Sequence, residues 1–365
     1  MKIVAIDPIL VALPYDHGAP KPLQGTGVRT HLDSLFVRVE TDAGVTGWGE
    51  AFSNAAGPVT VTALKRAVAP LAIGRDMDDI PALMTDLAHR LQSMTRNGPG
   101  AYALSGLDIA LWDIKGKVEG KPIHALLGGK RRSRVEAYAS LMRLVEPGHV
   151  ERVCGMAIER GYRHIKLHEH TVPAVAAARE AIGPGVSLMV DVNCHWRTAD
   201  EAIAYAHKFA PYDIAWFEEP VYPPDDFESI ARVRREGKLP VAAGENLGNL
   251  FDVRHMVDAG AVDYVQPSIA KMGGITEMMK AVAYAESKGV RGVPHAPYVG
   301  LGLIASLHVM AVLEKEVLCE HRNCDLEASP IGDWVVAQGG FLRVPDGPGL
   351  GVEPDLTLLD RYRVD

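Results

Sequence analysis

The sequence predicts an α/β protein in which a small N-terminal α+β module precedes a parallel barrel of eight strands. Two observations support this prediction. After residue 129, short apolar runs recur with centres about 22 to 28 residues apart, and each is followed by a helix-like stretch and a turn. Before residue 129, by contrast, a hairpin of strands is followed by a long segment with helical spacing.

The N-terminal module is expected over residues 1–128. Its predicted strands occupy residues 3–13, 35–40 and 45–50. The stretch 15–31 is rich in Gly, Pro and His and has no periodicity, so it is predicted to be a long loop, and loops of this length are usually functional or disordered. Residues 59–117 have the apolar spacing of helices.

The barrel is expected over residues 129–325. Each parallel strand needs a crossover that returns over the sheet, so eight consecutive strand-and-helix units are what a barrel requires. An open doubly wound sheet is the alternative, although such sheets usually contain fewer units. Residues 326–365 contain no further unit and are expected to pack back on the first module. The predicted strands are 135–141, 164–167, 187–192, 214–217, 240–243, 261–265, 290–294 and 317–319.

The composition is that of an ordinary globular protein, with 47% hydrophobic and 23% charged residues in a chain of 365. The net charge of -8 argues against nucleic acid as a partner, because phosphate binding needs a basic surface. No membrane partner is expected, since no apolar stretch is long enough for a span, and Asp7 and Pro8 interrupt the only segment that resembles a signal peptide. The four cysteines have no disulfide-framework spacing, which favours a cytoplasmic location.

Three acidic residues occupy equivalent positions at the ends of consecutive predicted strands. Asp191, Glu218 and Glu245 are spaced 27 residues apart, and each follows an apolar run. Because the carboxyl ends of barrel strands meet at one face, these carboxylates are expected to converge there. Converging carboxylates need a cation, and an all-oxygen set suits Mg²⁺, or alternatively Mn²⁺. The neighbouring Glu219 is expected to point away, since side chains alternate along a strand.

Basic groups are predicted at the same face. Lys166 and His168 share one side of the strand that precedes Asp191, and His295 ends the seventh strand. A base beside a bound cation can remove a proton next to a carboxylate, because the cation stabilises the resulting anion. Asn193 lies on the same side of its strand as Asp191 and is expected to support the site.

Zinc is a competing hypothesis for the metal. Soft donors lie near the same strand ends, but no pair has the spacing of a structural zinc site, and the three carboxylates favour a hard cation. These donors are His168, His170, Cys194, His195, Cys319, His321 and Cys324.

Several motifs together resemble the mandelate racemase/muconate lactonizing enzyme branch of the enolase superfamily, over nearly the whole chain. The resemblance implies an N-terminal α+β capping domain over a modified TIM barrel of the (β/α)7β type. It also implies that Asp191, Glu218 and Glu245 bind Mg²⁺. The motifs are Thr-Gly-Trp-Gly-Glu at 46–50, Ile-Ala-Leu-Trp-Asp at 109–113, the run 120–129, Asp-Val-Asn at 191–193, Glu-Glu-Pro at 218–220, Gly-Glu at 244–245 and Met-Gly-Gly at 272–274.

The chain departs from the family pattern at two positions. Members usually have a Lys-x-Lys pair at the second barrel strand, whereas here Lys166 is followed by His168 at the position of the base. Racemase-type members pair a histidine with an aspartate, but Ser268 stands opposite His295 here, and a serine cannot stabilise an imidazolium as a carboxylate does. By the same resemblance Glu320, expected after the eighth strand, would hydrogen-bond the substrate carboxylate.

The predicted reaction is Mg²⁺-dependent abstraction of the proton α to a carboxylate, which gives a metal-stabilised enediolate, as the resemblance implies. Loss of the β-hydroxyl would make the protein an acid-sugar dehydratase. In this hypothesis Lys166 holds or deprotonates the substrate, His168 is the base and His295 protonates the leaving hydroxyl. The alternatives are a racemase or epimerase of a hydroxy or amino acid and a sugar-acid lactone cycloisomerase.

A hypothesis of another class is a non-catalytic binding protein, but retention of the three acids with Lys166 and His295 disfavours it. The long first loop is expected to close over the site and to bind substrate hydroxyls. Its candidate residues are His17, Lys21, Gln24 and Arg29. The expected partner is a small carboxylate, with a sugar acid favoured, and the family resemblance implies a homo-oligomer.

Overall fold

The computed structural model describes residues 1–24 and 27–364. Its N-terminal part contains helices and an antiparallel sheet of four strands, one of which comes from the C-terminal segment. In this sheet β4 pairs with both β1 and β5, which leaves β1 and β5 on either side of it. The strands in this part of the chain are β1 Ile3–Asp16, β2 Leu23–Gln24, β3 Gly27–Val28, β4 His31–Thr41 and β5 Thr46–Ala51.

The helices of the N-terminal part pack on one face of this sheet. The long helix α4 lies so close to β5 that a Cβ added at Gly49 would be 2.1 Å from the carbonyl oxygen of Gly106, so only glycine fits there. A π-helical turn, Leu64–Val68, joins the first two helices. The helices are α1 Gly57–Ala63, α2 Ala69–Ala72, α3 Ile80–Arg90, α4 Pro99–Glu119 and α5 Ile123–Leu126.

From residue 134 onwards, a strand and a helix alternate seven times before an eighth strand. The strands are β6 Arg134–Ser140, β7 His164–Leu167, β8 Ser187–Asp191, β9 Ile214–Glu218, β10 Val241–Ala243, β11 Tyr264–Val265, β12 Arg291–Gly292 and β13 Cys319–Arg322. The helices between them are α6 Pro147–Glu159, α7 Val172–Ile182, α8 Ala199–Phe209, α9 Phe227–Glu236, α10 Leu250–Asp258, α11 Gly274–Ser287 and α12 Leu301–Val312.

The eight strands are all parallel and hydrogen-bond in the order β12-β11-β10-β9-β8-β7-β6-β13. Tyr138, from β6 near one end of this order, packs in one buried cluster with Val293, which directly follows β12 at the other end. The sheet therefore curls around a common interior, as the predicted (β/α)7β barrel requires. This arrangement confirms the α/β fold class, with a separate antiparallel sheet before the barrel.

The C-terminal segment contacts both parts of the chain. The strand β14, Asp325–Leu326, pairs with the end of β1, and Val364 donates its N–H to the carbonyl of Leu10 at 2.9 Å. The strand β15, Phe341–Arg343, pairs antiparallel with β6, and a last helix, α13, spans Leu356–Arg361. The sequence predicted the contact with the N-terminal sheet but not the added strand beside the barrel.

Several predicted element boundaries differ from the structure, and two of the differences concern the site. The stretch predicted as a loop over 15–31 begins inside β1 and contains the short β2–β3 hairpin. The eighth barrel strand extends to Arg322, so Glu320 lies within β13 and not after it. Short irregular segments and strand ends carry too little periodicity to fix such boundaries. Among the described residues, no helix is long and apolar enough to cross a membrane.

Candidate active site

Three carboxylates meet at the carboxyl ends of neighbouring barrel strands. Asp191 ends β8, Glu218 ends β9, and Glu245 follows β10 after Gly244. Each offers an oxygen that lies within 4.8 Å of the oxygens of the other two. Glu219 makes different contacts, since its carboxylate accepts hydrogen bonds from Cys194 Sγ and Asn246 Nδ2. The convergence that the spacing predicted is therefore present.

Lys166 lies beneath these carboxylates and is fully buried. Its Nζ is 3.2 Å from Asp191 Oδ2, 2.5 Å from Glu218 Oε1 and 2.9 Å from Glu320 Oε1. Burial acts to lower the pKa of Lys166, but the charges of Glu218 and Glu320 outweigh it and hold this pKa well above its usual range. The lysine is therefore an ammonium group that counters the surrounding negative charge.

The cluster contains more carboxylates than lysine ammonium groups. Four carboxylates lie around the ammonium groups of Lys166 and Lys271, whose Nζ is 3.3 Å from Glu245 Oε1. Burial raises the pKa of Glu218 well above normal because this desolvation outweighs its ion pair with Lys166. For Asp191 the same burial is outweighed by Lys166 and His168, which lower its pKa. A buried set of hard oxygen donors with excess negative charge fits a divalent cation such as Mg²⁺.

The His168 imidazole has a defined polarity. Its Nδ1 is 2.5 Å from the backbone carbonyl oxygen of Leu141, and a carbonyl only accepts hydrogen bonds, so Nδ1 holds the proton. In the neutral ring Nε2 then has a lone pair. Nε2 faces the site, 3.2 Å from Asp191 Oδ2, where a proton that it accepts would be stabilised by the carboxylate.

The His295 imidazole has the opposite polarity. Its Nε2 is 2.9 Å from Glu245 Oε2 and 3.8 Å from Glu320 Oε2, and both are acceptors, so Nε2 holds a proton. Its Nδ1 is 2.9 Å from Ser268 Oγ. Ser268 also hydrogen-bonds the buried Tyr298 hydroxyl, which accepts from a backbone N–H. A serine and a tyrosine therefore hold the ring where racemase-type relatives are expected to use an aspartate.

Above these groups lies a cavity of about 380 Å³ whose walls come from both parts of the chain. We call the groups at the strand ends the inner half: Lys166, His168, Asp191, Glu218, Glu245, His295 and Glu320. We call a second group of charged side chains that line this cavity the outer half: Arg29, Asp33, Arg143 and Arg322. The N-terminal module contributes Arg29 and Asp33, as expected of segments that cover a barrel mouth.

The residues predicted for substrate binding have different positions. Glu320 lies in the inner half and accepts a hydrogen bond from Ser140 Oγ at 2.8 Å. Asn193 lines the cavity and supports Asp191 through its backbone N–H, which is 2.9 Å from Asp191 Oδ1. Arg29 lines the outer half. The structure brings all the predicted site residues to one region, and their roles stay predictions.

The other residues of the first loop make different contacts. Lys21 Nζ donates to the Thr30 carbonyl oxygen and lies over the ring of Tyr15. His17 is buried with its ring 5.7 Å from that of Tyr15. Neither lines the cavity, and the side chain of Gln24 lies outside the described residues. In the part of the chain that the structure describes, a group of three metal-binding donors forms only at Asp191, Glu218 and Glu245, and the zinc hypothesis gains no support.

Several residues that line this cavity were not predicted from the sequence, among them Lys271, Tyr298, Arg143 and Arg322. Lys271 is buried with its Nζ 4.4 Å from the ring centre of Phe52, and its only sequence signal was its place next to the Met-Gly-Gly motif. Tyr298, Arg143 and Arg322 carried no signal, because they follow strand ends or lie in the misplaced eighth strand.

Comparison with known proteins identifies the family. Residues 149–358 match the family described as Enolase C-terminal domain-like, and residues 16–128 match the one described as Mandelate racemase / muconate lactonizing enzyme, N-terminal domain. The chain is 34% identical to a D-galactarolactone cycloisomerase of Agrobacterium fabrum, over 100% of this chain and 99% of that protein. It is 35% identical to a D-galactonate dehydratase of Ralstonia pickettii, over 89% and 90% of the two.

A solved structure extends this comparison to the fold. A racemase from Streptomyces coelicolor with bound magnesium superposes with a TM-score of 0.88 and 28% identity, over 99% of this chain and 100% of that one. The family matches, the relatives and this structure agree with the resemblance that the motifs indicated. The chain therefore belongs to the mandelate racemase/muconate lactonizing enzyme group of the enolase superfamily, and it is an enzyme of the lyase or isomerase type.

Proposed function

We propose that the protein is a dehydratase of sugar acids. It would remove the proton α to the substrate carboxylate and expel the hydroxyl group from the β carbon. The observation that carries this proposal is the opposite polarity of the two imidazoles at one cavity, a lone pair at Nε2 of His168 and a proton at Nε2 of His295. An elimination needs one base and one acid, so this pair supports it.

Asp191, Glu218 and Glu245 would hold Mg²⁺, with Mn²⁺ as the alternative cation. A cation bound there would supply positive charge where the substrate carboxylate and its α carbon become negative. The similar racemase structure with bound magnesium supports the choice of metal. Lys166 and Glu320 form an ion pair at the edge of the cluster, and together they would orient the substrate carboxylate.

The protein groups then move two protons. His168 Nε2 takes the α proton as the C–H bond breaks and a C=C bond forms. The β C–O bond breaks, and His295 Nε2 gives its proton to the departing oxygen, which leaves as water. The enol that remains converts to a 2-keto-3-deoxy acid. Each proton transfer of this kind contributes about a hundredfold to ten-thousandfold in rate.

The alternative with specific support is a cycloisomerase acting on a sugar-acid lactone, as the name of the Agrobacterium relative indicates for that protein. If the β oxygen belongs to a lactone ring, the same base and acid would open the ring and no water would leave. A racemase is less well supported, because Ser268 and not an aspartate hydrogen-bonds His295. Assembly into a homo-oligomer stays a prediction.

Incubation with sugar acids and their lactones in D₂O with Mg²⁺ tests the proposal. We expect a 2-keto-3-deoxy product from an open-chain acid. Release of an isomer without water loss would favour the cycloisomerase, and substrate with deuterium at the α carbon would favour the racemase. If no acid gives a 2-keto-3-deoxy product, the proposal is wrong.

Two histidine variants separate the two proton transfers. His295→Asn should still exchange the α proton with D₂O but lose dehydration, because the base remains. His168→Asn should lose both. His89→Asn is the matched control, since His89 is an exposed histidine on α3 that does not line the cavity, and it should behave as the unmodified protein.

A further inference from the structure

The outer half of the cavity contains more positively charged than negatively charged side chains. Three guanidinium groups, from Arg29, Arg143 and Arg322, line it together with one carboxylate, Asp33. Arg143 contacts the His170 ring, with 3.2 Å between Nη2 and Nε2. This end of the cavity is therefore cationic, whereas the inner half is anionic.

Arg29 is held in place but forms no ion pair with any residue that the structure describes. The Tyr15 hydroxyl donates to the backbone carbonyl of Arg29 at 2.9 Å, which anchors the chain at that position. Within the described residues, no carboxylate lies within ion-pair distance of the Arg29 guanidinium. Burial, reinforced by the nearby charge of Arg322, lowers the pKa of Arg29 from 12.5 to about 10. The charge of Asp33 acts in the opposite direction, but this one carboxylate lies beside two guanidinium groups, those of Arg29 and Arg322.

Arg322 lies at a fixed distance from the inner half. It follows Glu320 by two residues on β13, so both side chains are on the same side of that strand, about 6.6 Å apart along it. The Arg322 Nε donates to the Pro297 carbonyl oxygen at 3.2 Å, which leaves the end of the guanidinium for a ligand. Glu320 contacts Lys166, which is expected to orient the reacting carboxylate.

This spacing corresponds to the length of a sugar diacid. The terminal carbons of an extended six-carbon chain are roughly 6 Å apart, given C–C bonds of about 1.5 Å. A substrate whose first carboxylate lies at the inner half could extend along β13 toward Arg322 and Arg29, which line the same cavity. Guanidinium groups bind carboxylates in paired, charge-assisted hydrogen bonds, which are stronger than those to hydroxyls.

We propose that Arg29 and Arg322 bind a second carboxylate, so that the preferred substrate is a dicarboxylic sugar acid or its lactone and not a monocarboxylic one. The inference rests on the proposed function, because it takes the inner half as the place of the reacting carboxylate. It adds the class of substrate and the two residues that select it.

Calorimetric titration of the Mg²⁺-loaded protein with galactarate and galactonate tests the proposal. We expect galactarate to bind about 10- to 100-fold more tightly, the difference typical of a charge-assisted pair. Arg29→Gln and Arg322→Gln should remove most of this preference and leave galactonate binding within about twofold. Arg29→Lys should retain part of it. Arg291→Gln is the matched control, because Arg291 is exposed and lines a cavity at the opposite mouth of the barrel.

Three results would overturn the assignment: tighter binding of galactonate, equal losses of both ligands in the arginine variants, or stronger binding of a monoacid with a terminal phosphate than of galactarate. Circular dichroism and thermal unfolding would show that the variants remain folded. If diacid binding depends on the two arginines while no acid is dehydrated, the subsite stands and the proposed function fails. If monoacids are dehydrated with no preference for diacids, the function stands and the subsite fails.

Discussion

The inner and outer halves of the cavity differ in charge and in the parts of the chain that build them. The inner half consists of side chains at barrel strand ends, and its carboxylates surround a fully buried lysine. The outer half draws on the N-terminal module, on the segment after β6 and on the last residue of β13, and guanidinium groups dominate it. In the proposed function, proton abstraction would therefore use the barrel alone, whereas the choice of substrate would also use the N-terminal module.

The largest expected effect is from Asp191→Asn in the inner half. Loss of one charged oxygen donor should weaken Mg²⁺ binding and reduce turnover by about a thousandfold or more, because the stabilisation of anionic charge by a bound metal amounts to several kcal/mol. Calorimetric Mg²⁺ titration and turnover measure the two effects. Unchanged Mg²⁺ binding in this variant would show that the metal does not use the inner half.

Lys166→Met should destabilise the Mg²⁺-free protein by about 3–5 kcal/mol, the loss typical when one partner of a buried ion pair is removed. Its three carboxylate neighbours would then be left without their shared ammonium group. Chemical denaturation measures the change, with the exposed Lys315→Met as a control. Mg²⁺ should stabilise the Lys166 variant more than the unmodified protein; an equal gain would contradict the view that lysine and metal share the same charges.

Glu50 differs from the carboxylates around Lys166, because it is a fully buried carboxyl without a cationic partner among the described residues. Burial raises its pKa to about 7, although Ser34 Oγ and the Gly302 N–H both donate to it. Between about pH 4.5 and pH 7 the folded state therefore binds a proton that the unfolded state has lost. This group should lower the free energy of unfolding by up to about 3 kcal/mol as the pH rises through that window.

Denaturation at pH 5 and pH 8 checks the Glu50 prediction. The unmodified protein should lose more stability between these values than Glu50→Gln does. Other titrating groups, such as Asp108, whose burial raises its pKa to about 7, remain in both proteins and cancel in the comparison. Parallel stability curves would show that Glu50 is ionised in the folded protein at both values.

The smallest expected effect is from Tyr298→Phe. Removal of the hydroxyl that bonds Ser268 should loosen the orientation of His295 and lower kcat by about tenfold with little change in KM, because one neutral hydrogen bond is worth about 1 kcal/mol. Steady-state kinetics on a sugar acid measures the split. A rise in KM with unchanged kcat would assign Tyr298 to substrate binding instead.

Much of the inner half could be predicted from the sequence, because strand ends in a barrel recur at regular intervals. The equal spacing of Asp191, Glu218 and Glu245 predicts that their carboxylates lie at one face of the barrel. The outer half could not be predicted in the same way. Arg29 and Arg322 come from opposite ends of the chain, and only the three-dimensional path of those segments brings them to one cavity. Tyr298 and Lys271 were missed for the same reason.

The short ladder between β1 and β14 pairs Tyr15 with Leu326 and Asp16 with Asp325. Tyr15 anchors the backbone of Arg29, and β14 follows closely after Arg322, so these two residue pairs connect the segments that carry the two arginines. A mutation in this ladder could change which substrates the enzyme accepts without altering any proton-transferring group. Related enzymes could therefore diverge in substrate preference through this ladder, although the ladder itself makes no direct contact with the ligand.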